Sequence, residues 1–393
     1  MWCSARFAFQ RRENHSGSGN GGMLGEMKRL LRFPEYVFGG IQYHLGGRWF
    51  TAKPRMVQFP VCDRCNARCI MCNRWKKEVK GEIGVEKIRE VFQNPMFSKV
   101  EQVNLHGGEP TLREDLADIS RIIQDACPRL QRIWISTNGF GAKRIEKRML
   151  EVLDALDFKR LQSLEINVSI DGMSQTHDRI RGVKGGFEQV LSTLVSLKRL
   201  CAGNPVRLTI GTVMQPLNLN ELDDIERLGR SLGVPVIFQP LMFDEFFNLQ
   251  GCEDLRFAPQ DKETLRGIVR KKLAAGTAPT NLYWCNFLRM MDGSRRRIPC
   301  PFDRYVLSLY PTGEVLPCSR EDWIVFGNVY DERVDTIWYG KKAREIRQRM
   351  KREVCPRCSA YCAVEFSLQK EFFTYLAFYL RRRLFRLSHR FES

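Results

Sequence analysis

Short β-rich runs alternate with longer runs of helical period through the middle of the chain. Met56–Pro60, Val100–Leu105, Arg132–Ile135, Ser163–Ile170, Arg207–Val213 and Val234–Gln239 read as strands. Between them, Leu112–Ala126, Ile145–Leu156, Gly186–Leu200 and Asn218–Leu232 repeat apolar residues at helical spacing. Such alternation predicts a parallel sheet with crossover helices. Six units of this kind predict an α/β fold, a partial (β/α)6 barrel in preference to a closed barrel of eight strands. After about residue 250 the rhythm changes: residues 285–362 are rich in cysteine and turn residues, and a helical tail follows.

This pattern divides the chain into five stretches. Residues 1–22 are expected to be a disordered leader, with linker composition at Ser16–Gly22 and Met23 as the expected natural start. Residues 23–56 form a basic amphipathic segment, residues 57–250 the partial barrel, residues 251–365 a small cysteine-rich domain and residues 366–393 a basic amphipathic helix.

Composition narrows the chemistry. Fourteen cysteines in 393 residues are many, they cluster at close spacings, and no secretory signal precedes them. Metal ligation in a reducing cytoplasm is therefore expected over disulfides. The net charge of +18 points to an anionic partner: a membrane surface, a phosphorylated substrate or nucleic acid. Nucleic acid is disfavoured, because no binding motif accompanies the charge. No run reaches the roughly 18 apolar residues needed to cross a bilayer.

The strongest motif is Cys65-Asn66-Ala67-Arg68-Cys69-Ile70-Met71-Cys72, three thiolates at C-x3-C-x2-C spacing. Three such ligands can hold three irons of a [4Fe–4S] cube and leave the fourth open, whereas a ferredoxin-type cluster takes four. A zinc knuckle is the plainer alternative, but zinc favours four closed ligands and no histidine stands nearby. Cys62 could complete a set of four. The loop resembles the signature of the radical S-adenosylmethionine (radical SAM) superfamily. That resemblance implies that Cys65, Cys69 and Cys72 hold a [4Fe–4S] cluster whose open iron binds S-adenosylmethionine. It also implies reductive cleavage of that cofactor to a 5′-deoxyadenosyl radical, which abstracts hydrogen from a substrate. Relatives often carry an aromatic residue before the last cysteine; here Met71 stands there, and its thioether could pack on an adenine.

Further motifs fall at strand ends. His106-Gly107-Gly108-Glu109-Pro110 lies after one helix and one strand beyond the cysteine loop. Alone it is a turn; by resemblance Gly107, Gly108 and Glu109 receive the methionyl amino group. Ser136-Thr137-Asn138-Gly139 ends the next strand. Ser169-Ile170-Asp171-Gly172 follows, then His177 to Gly182. The resemblance assigns Ser169 to the ribose and Arg181 to the methionyl carboxylate, with Arg179 as the alternative to Arg181. His106 and His177 read as structural.

Cys300, Gly313 and Cys318, then Cys355-Pro356-Arg357-Cys358 and Cys362, resemble the auxiliary-cluster domain called SPASM, or its shortened twitch form. Cys300, Cys318, Cys355 and Cys358 are assigned to one auxiliary [4Fe–4S] cluster, with Cys362 as an alternative ligand. The C-x2-C-x5-C-x3-C run of the full pattern is not intact. Cys252 and Cys285 read as free thiols, and a structural zinc site is the plainer alternative for the region. An auxiliary cluster favours substrate oxidation or bond formation. Residues 371–391 place an apolar stripe beside arginines, which suits a helix lying on an anionic membrane or packed on the barrel. The expected partners are an unidentified small molecule, lipid or glycan precursor or peptide as substrate, a reductant such as flavodoxin or ferredoxin, and that membrane surface. The competing readings are an iron–sulfur electron-transfer protein without S-adenosylmethionine chemistry and a zinc-stabilised binding module.

Overall fold

The computed structural model describes residues 52–360, apart from residues 77, 80, 242–254, 276–280, 299, 301, 303 and 319–323. The leader, most of the 23–56 segment, the tail helix, Cys252 and Cys362 lie outside the described residues.

Six strands run in sequence order across the sheet: β1 (Met56–Cys62), β2 (Gln102–Gly107), β3 (Arg132–Thr137), β4 (Ser163–Ser169), β5 (Val206–Met214) and β6 (Val236–Pro240). Each is parallel to the next. The crossovers carry α1 (Val85–Phe92), α2 (Leu116–Ala126), α3 (Ala142–Ala155), α4 (Ser174–Arg181), α5 (Gly186–Cys201) and α6 (Leu222–Leu232). Then come α7 (Pro259–Ala275), α8 (Asn281–Met291), β7 (Val306–Leu309), β8 (Glu314–Leu316), β9 (Gly327–Asn328), α9 (Val334–Tyr339) and α10 (Lys341–Glu353). β7 lies parallel to β1 on its free side, and β8 and β9 continue antiparallel, giving the order β6-β5-β4-β3-β2-β1-β7-β8-β9. The sheet stays open, so the fold is the expected six-unit partial barrel, extended by a small meander.

The two faces of the sheet differ. Val57, Phe59, Val103, Leu105, Ile133, Ile135, Ile166 and Val168 share one core with the helices. The other face is polar: Gln58, Asn104, Trp134, Glu165 and Arg207 stand in register across five strands. Glu165 is buried there between Arg132 at 3.1 Å and Arg207 at 3.6 Å.

Two helices begin later than their periodicity predicts. Pro110–Leu112 is a 3-10 turn capped by Glu109, so α2 starts at Leu116. Pro216–Glu221 is a second such turn, held by a reciprocal Gln215–Asn218 cap, so α6 starts at Leu222. Helix α4 was not among the predicted elements: eight residues with mostly polar side chains carry little apolar period.

Candidate cofactor site and a second cysteine set

β1 ends at Cys62 and the chain turns into the cysteine loop. Arg74 pairs with Asp63 and so closes the loop on itself. The same guanidinium donates to the Tyr310 hydroxyl at 3.3 Å and lies 5.2 Å over that ring, which ties the loop to the end of β7. The far side of the loop rests on α4: Arg68 N donates to Arg181 O and Ile70 N to Ile180 O, each at 2.9 Å. Gly182 ends α4 at φ +64°, and a Cβ there would stand 2.5 Å from Arg68 O, so the contact requires glycine.

Held this way, Cys65, Cys69 and Cys72 share a small apolar cluster with Ala67, Met71, Phe140 and Val183. Asn138 Nδ2 points at Cys65 Sγ (3.7 Å) and also donates to Asn66 Oδ1 at 2.7 Å. Arg181 Nη1 points at Cys69 Sγ (3.8 Å). Met71 Sδ accepts from Gln215 Nε2 at 3.1 Å. Burial pushes the Cys69 thiol up to about 11, against the opposing charge of Arg181, and raises Cys65 as well. A desolvated site of this kind disfavours bare thiolates and accepts them only with a compensating cation. The donor set therefore suits iron–sulfur ligation: three soft sulfurs in an apolar pocket, with N–H donors facing two of them. No three His, Cys, Asp or Glu side chains among the described residues converge on one metal-ion position. A cube makes a different demand, since each thiolate binds its own corner iron.

Cys62 stands apart from these three. It is fully buried in the main core, its thiol donates to Glu109 O at 3.2 Å, and burial pushes it up to about 12. A fourth-ligand role for Cys62 has no support in this geometry.

The Gly-Gly-Glu run packs on the stem of the loop. Gly108 N donates to Cys62 O and Glu109 N to Arg64 O, both at 2.8 Å. A Cβ on Gly107 (φ +135°) would stand 2.3 Å from Cys62 O, and one on Gly108 would stand 2.1 Å from Arg64 O. The Glu109 side chain is fully buried. Its carboxylate accepts from Thr111 N (3.2 Å), Thr111 Oγ1 (2.7 Å), Thr137 Oγ1 (2.8 Å) and Asn138 N (2.7 Å). Burial still raises its pKa despite those four bonds. Glu109 thereby joins the ends of β2 and β3, and it positions Asn138 beside Cys65.

Ser169 ends β4 opposite Gly211. Arg181 is buried against the loop, whereas Arg179 is exposed. The residue that sequence reasoning missed is Asp171. It is fully buried, its Oδ2 lies 2.5 Å from Arg181 Nη2, and it accepts from Val213 N at 2.7 Å. Burial raises the Asp171 carboxyl, while Arg181 and the Val213 bond oppose that rise. His177 is structural in this setting: its Nδ1 accepts from Asp171 N at 3.2 Å, and its ring sits edge-on to Phe140 and Phe187. Burial, helped by Arg181, lowers it to about 3, so the ring is neutral.

The second cysteine set gathers at the other end of β1. Cys300, Cys318 and Cys355 pack with Met56, Val306 and Met350. Cys355 opens a short 3-10 turn whose carbonyl accepts from Cys358 N at 3.2 Å. Arg296, Arg297, Arg304 and Lys351 line a cavity of about 290 Å³ beside Cys300 and Cys355. Cys285 instead packs on the main core from α8.

This arrangement defines a class of protein: an open parallel barrel with a three-cysteine loop at its C-terminal mouth and a second cysteine set beside its first strand. Comparison with known proteins agrees. Residues 59–229 match the radical SAM superfamily, and residues 300–362 match the SPASM iron–sulfur cluster-binding domain. The chain carries a radical SAM domain followed by a SPASM-type domain. It is 29% identical over 221 residues to the AdoMet-dependent heme synthase of Methanosarcina barkeri, covering 55% of this chain and 57% of that protein. The chain thus spans little more than half the length of that relative. Against the PqqA peptide cyclase of Rhizobium meliloti the identity is 26% over 308 residues, covering 74% of this chain and 75% of the relative. Among solved structures, Streptococcus suis SuiB bound to S-adenosylmethionine superposes with a TM-score of 0.58 at 14% identity, covering 91% of this chain and 82% of that one.

Proposed function

We propose that this chain is a radical SAM enzyme that acts on a small molecule, a lipid or glycan precursor, or a peptide, by oxidation or bond formation. A [4Fe–4S] cluster with one open iron, loaded with S-adenosylmethionine, supplies reductive carbon–sulfur cleavage and a 5′-deoxyadenosyl radical able to take a hydrogen atom. The observation that carries the reading is the seating of the Cys65–Cys72 loop on Arg181 and Asn138 in a desolvated pocket.

In this reading Cys65, Cys69 and Cys72 hold the cluster. Arg181, kept in place by Asp171, offers its charge to the methionyl carboxylate. Carbonyl groups around Gly107–Glu109 accept from the amino group, and Ser169 binds the ribose. Asn138 and the apolar wall of Phe140 and Val183 keep water from the sulfurs. Cys300, Cys318, Cys355 and Cys358 hold the auxiliary cluster in the 251–365 domain. The reductant is a flavodoxin or ferredoxin. The enzyme works in the cytoplasm, with the basic 371–391 segment resting on the anionic inner face of the membrane.

The test is anaerobic reconstitution with iron and sulfide, reduction with dithionite in the presence of S-adenosylmethionine, and mass spectrometry for 5′-deoxyadenosine. The expected result is product from the wild type and none from Cys65→Ala/Cys69→Ala/Cys72→Ala. Equal product from both, or none from an iron-loaded wild type supplied with candidate substrates, would sink the proposal.

A further inference from the structure

We infer that Arg296 is a positioning residue for the second cysteine set, seating Cys358 beside Cys300 and raising the reduction potential of the auxiliary cluster they hold. The inference rests on the auxiliary-cluster assignment proposed above. One side chain spans both segments. Arg296 Nη1 donates to Cys358 O at 3.1 Å and Ala360 O at 3.1 Å, and it points at Cys358 Sγ (3.7 Å). Its Nε donates to Ile298 O at 2.8 Å, two residues before Cys300. Its backbone N–H donates to Pro356 O at 2.8 Å, inside the Cys355–Cys358 turn. The residue therefore clamps the Cys355–Cys358 turn onto the strand-entry segment that carries Cys300. A planar fork can do this, and a lysine ammonium cannot reproduce it.

The charge matters as much as the clamp. Reduction adds one electron to the cluster and breaks no bond. A guanidinium donating toward a ligating sulfur stabilises the more negative, reduced form more than the oxidised form. Arg297, Arg304 and Lys351 line the same cavity, and among the described residues no carboxylate lines it. Among these basic groups, Arg296 brings its Nη1 to 3.7 Å from the Cys358 sulfur. Arg297 is exposed and serves as the comparator for charge without that contact.

The experiment uses the full chain carrying Cys65→Ala/Cys69→Ala/Cys72→Ala, so that only auxiliary iron remains, and titrates its potential with dithionite by electron paramagnetic resonance. Arg296→Gln is expected to shift the one-electron equilibrium tenfold toward the oxidised form, about 59 mV more negative. Arg296→Lys should lie between that and the parent, and Arg297→Gln should move it by less than half as much. Parent potential in an iron-loaded Arg296→Gln, or an equal shift from Arg297→Gln, overturns the inference. Should Arg296→Gln lose its iron, Arg296→Lys decides: a lowered potential supports the inference and the parent potential overturns it. Absence of iron from the parent variant removes the auxiliary-cluster assignment and the inference with it, and leaves the 5′-deoxyadenosine test of the first site unaffected.

Discussion

Replacing Gly108 with alanine adds one methyl group where two backbone segments touch. The new Cβ would lie 2.1 Å from Arg64 O, 2.6 Å from Arg64 C and 2.7 Å from Asp63 O. All three are main-chain atoms of the loop stem and cannot rotate away. Relief must come from separating the end of β2 from the stem, which stretches the Gly108–Cys62 and Glu109–Arg64 bonds, both 2.8 Å. Overpacking of this kind costs about 1–3 kcal/mol. Two weakened hydrogen bonds add about 1 kcal/mol each, for a total of about 3–5 kcal/mol. That is a large share of the roughly 5–15 kcal/mol that holds a domain together. Gly267→Ala is the control, since no atom stands within 4 Å of its Cβ position in the interior of α7. It should stabilise by about 0.5–1 kcal/mol. Urea unfolding of the anaerobic, iron-free chain measures both variants, and iron content after reconstitution shows whether the loop still closes. Gly108→Ala within about 1 kcal/mol of wild type, with wild-type iron, would refute the claim that this glycine exists for the loop stem.

Two further predictions concern α4 and its surroundings. His177, lowered to about 3 from an ordinary value near 6.5, binds protons more readily in the unfolded chain. Its contribution to stability is therefore full above pH 6.5 and is lost as the pH falls toward 3, at about 1.4 kcal/mol per pH unit. Urea midpoints at pH 7 and pH 5 should differ less in His177→Gln than in wild type, and equal differences would contradict the assignment. Asp171→Ala leaves Arg181 buried without its carboxylate, which should cost about 3–5 kcal/mol. Asp171→Ala/Arg181→Leu should recover part of that loss in the same assay, and a double variant no better than the single would show that the pair is not the cause.

The alternation of apolar and polar runs was enough to place β1 to β6, because each strand must bury one face under a helix. In β2 and β3 the period is explicit: Val103, Leu105, Ile133 and Ile135 point to the helices, and Asn104, His106, Trp134 and Ser136 to the other side. β7, β8 and β9 were not legible. They hold four, three and two residues; β7 is a strand because it pairs with β1, roughly 250 residues away, and β8 and β9 because they pair in turn with β7 and β8. The cysteine spacings are local and could be read directly. The groups that surround them are not local. Asp171 looks like an ordinary turn residue until α4 brings Arg181 back to it, and Asn138 looks like one until Glu109 catches its amide. Arg296 is one of three consecutive arginines, and only the fold distinguishes it from its neighbours.

β1 is buried at all seven of its positions and is paired on both sides. The first cysteine loop leaves from its last residue, and the second cysteine set packs on its first, Met56. The strand is therefore a strut between the two sites. At about 3.3 Å per residue it holds them on the order of 20 Å apart. Flanked by ladders, a strut can neither shorten nor swing. Whatever opens to admit substrate must hinge elsewhere, and the spacing between the two sites stays constant from one catalytic cycle to the next.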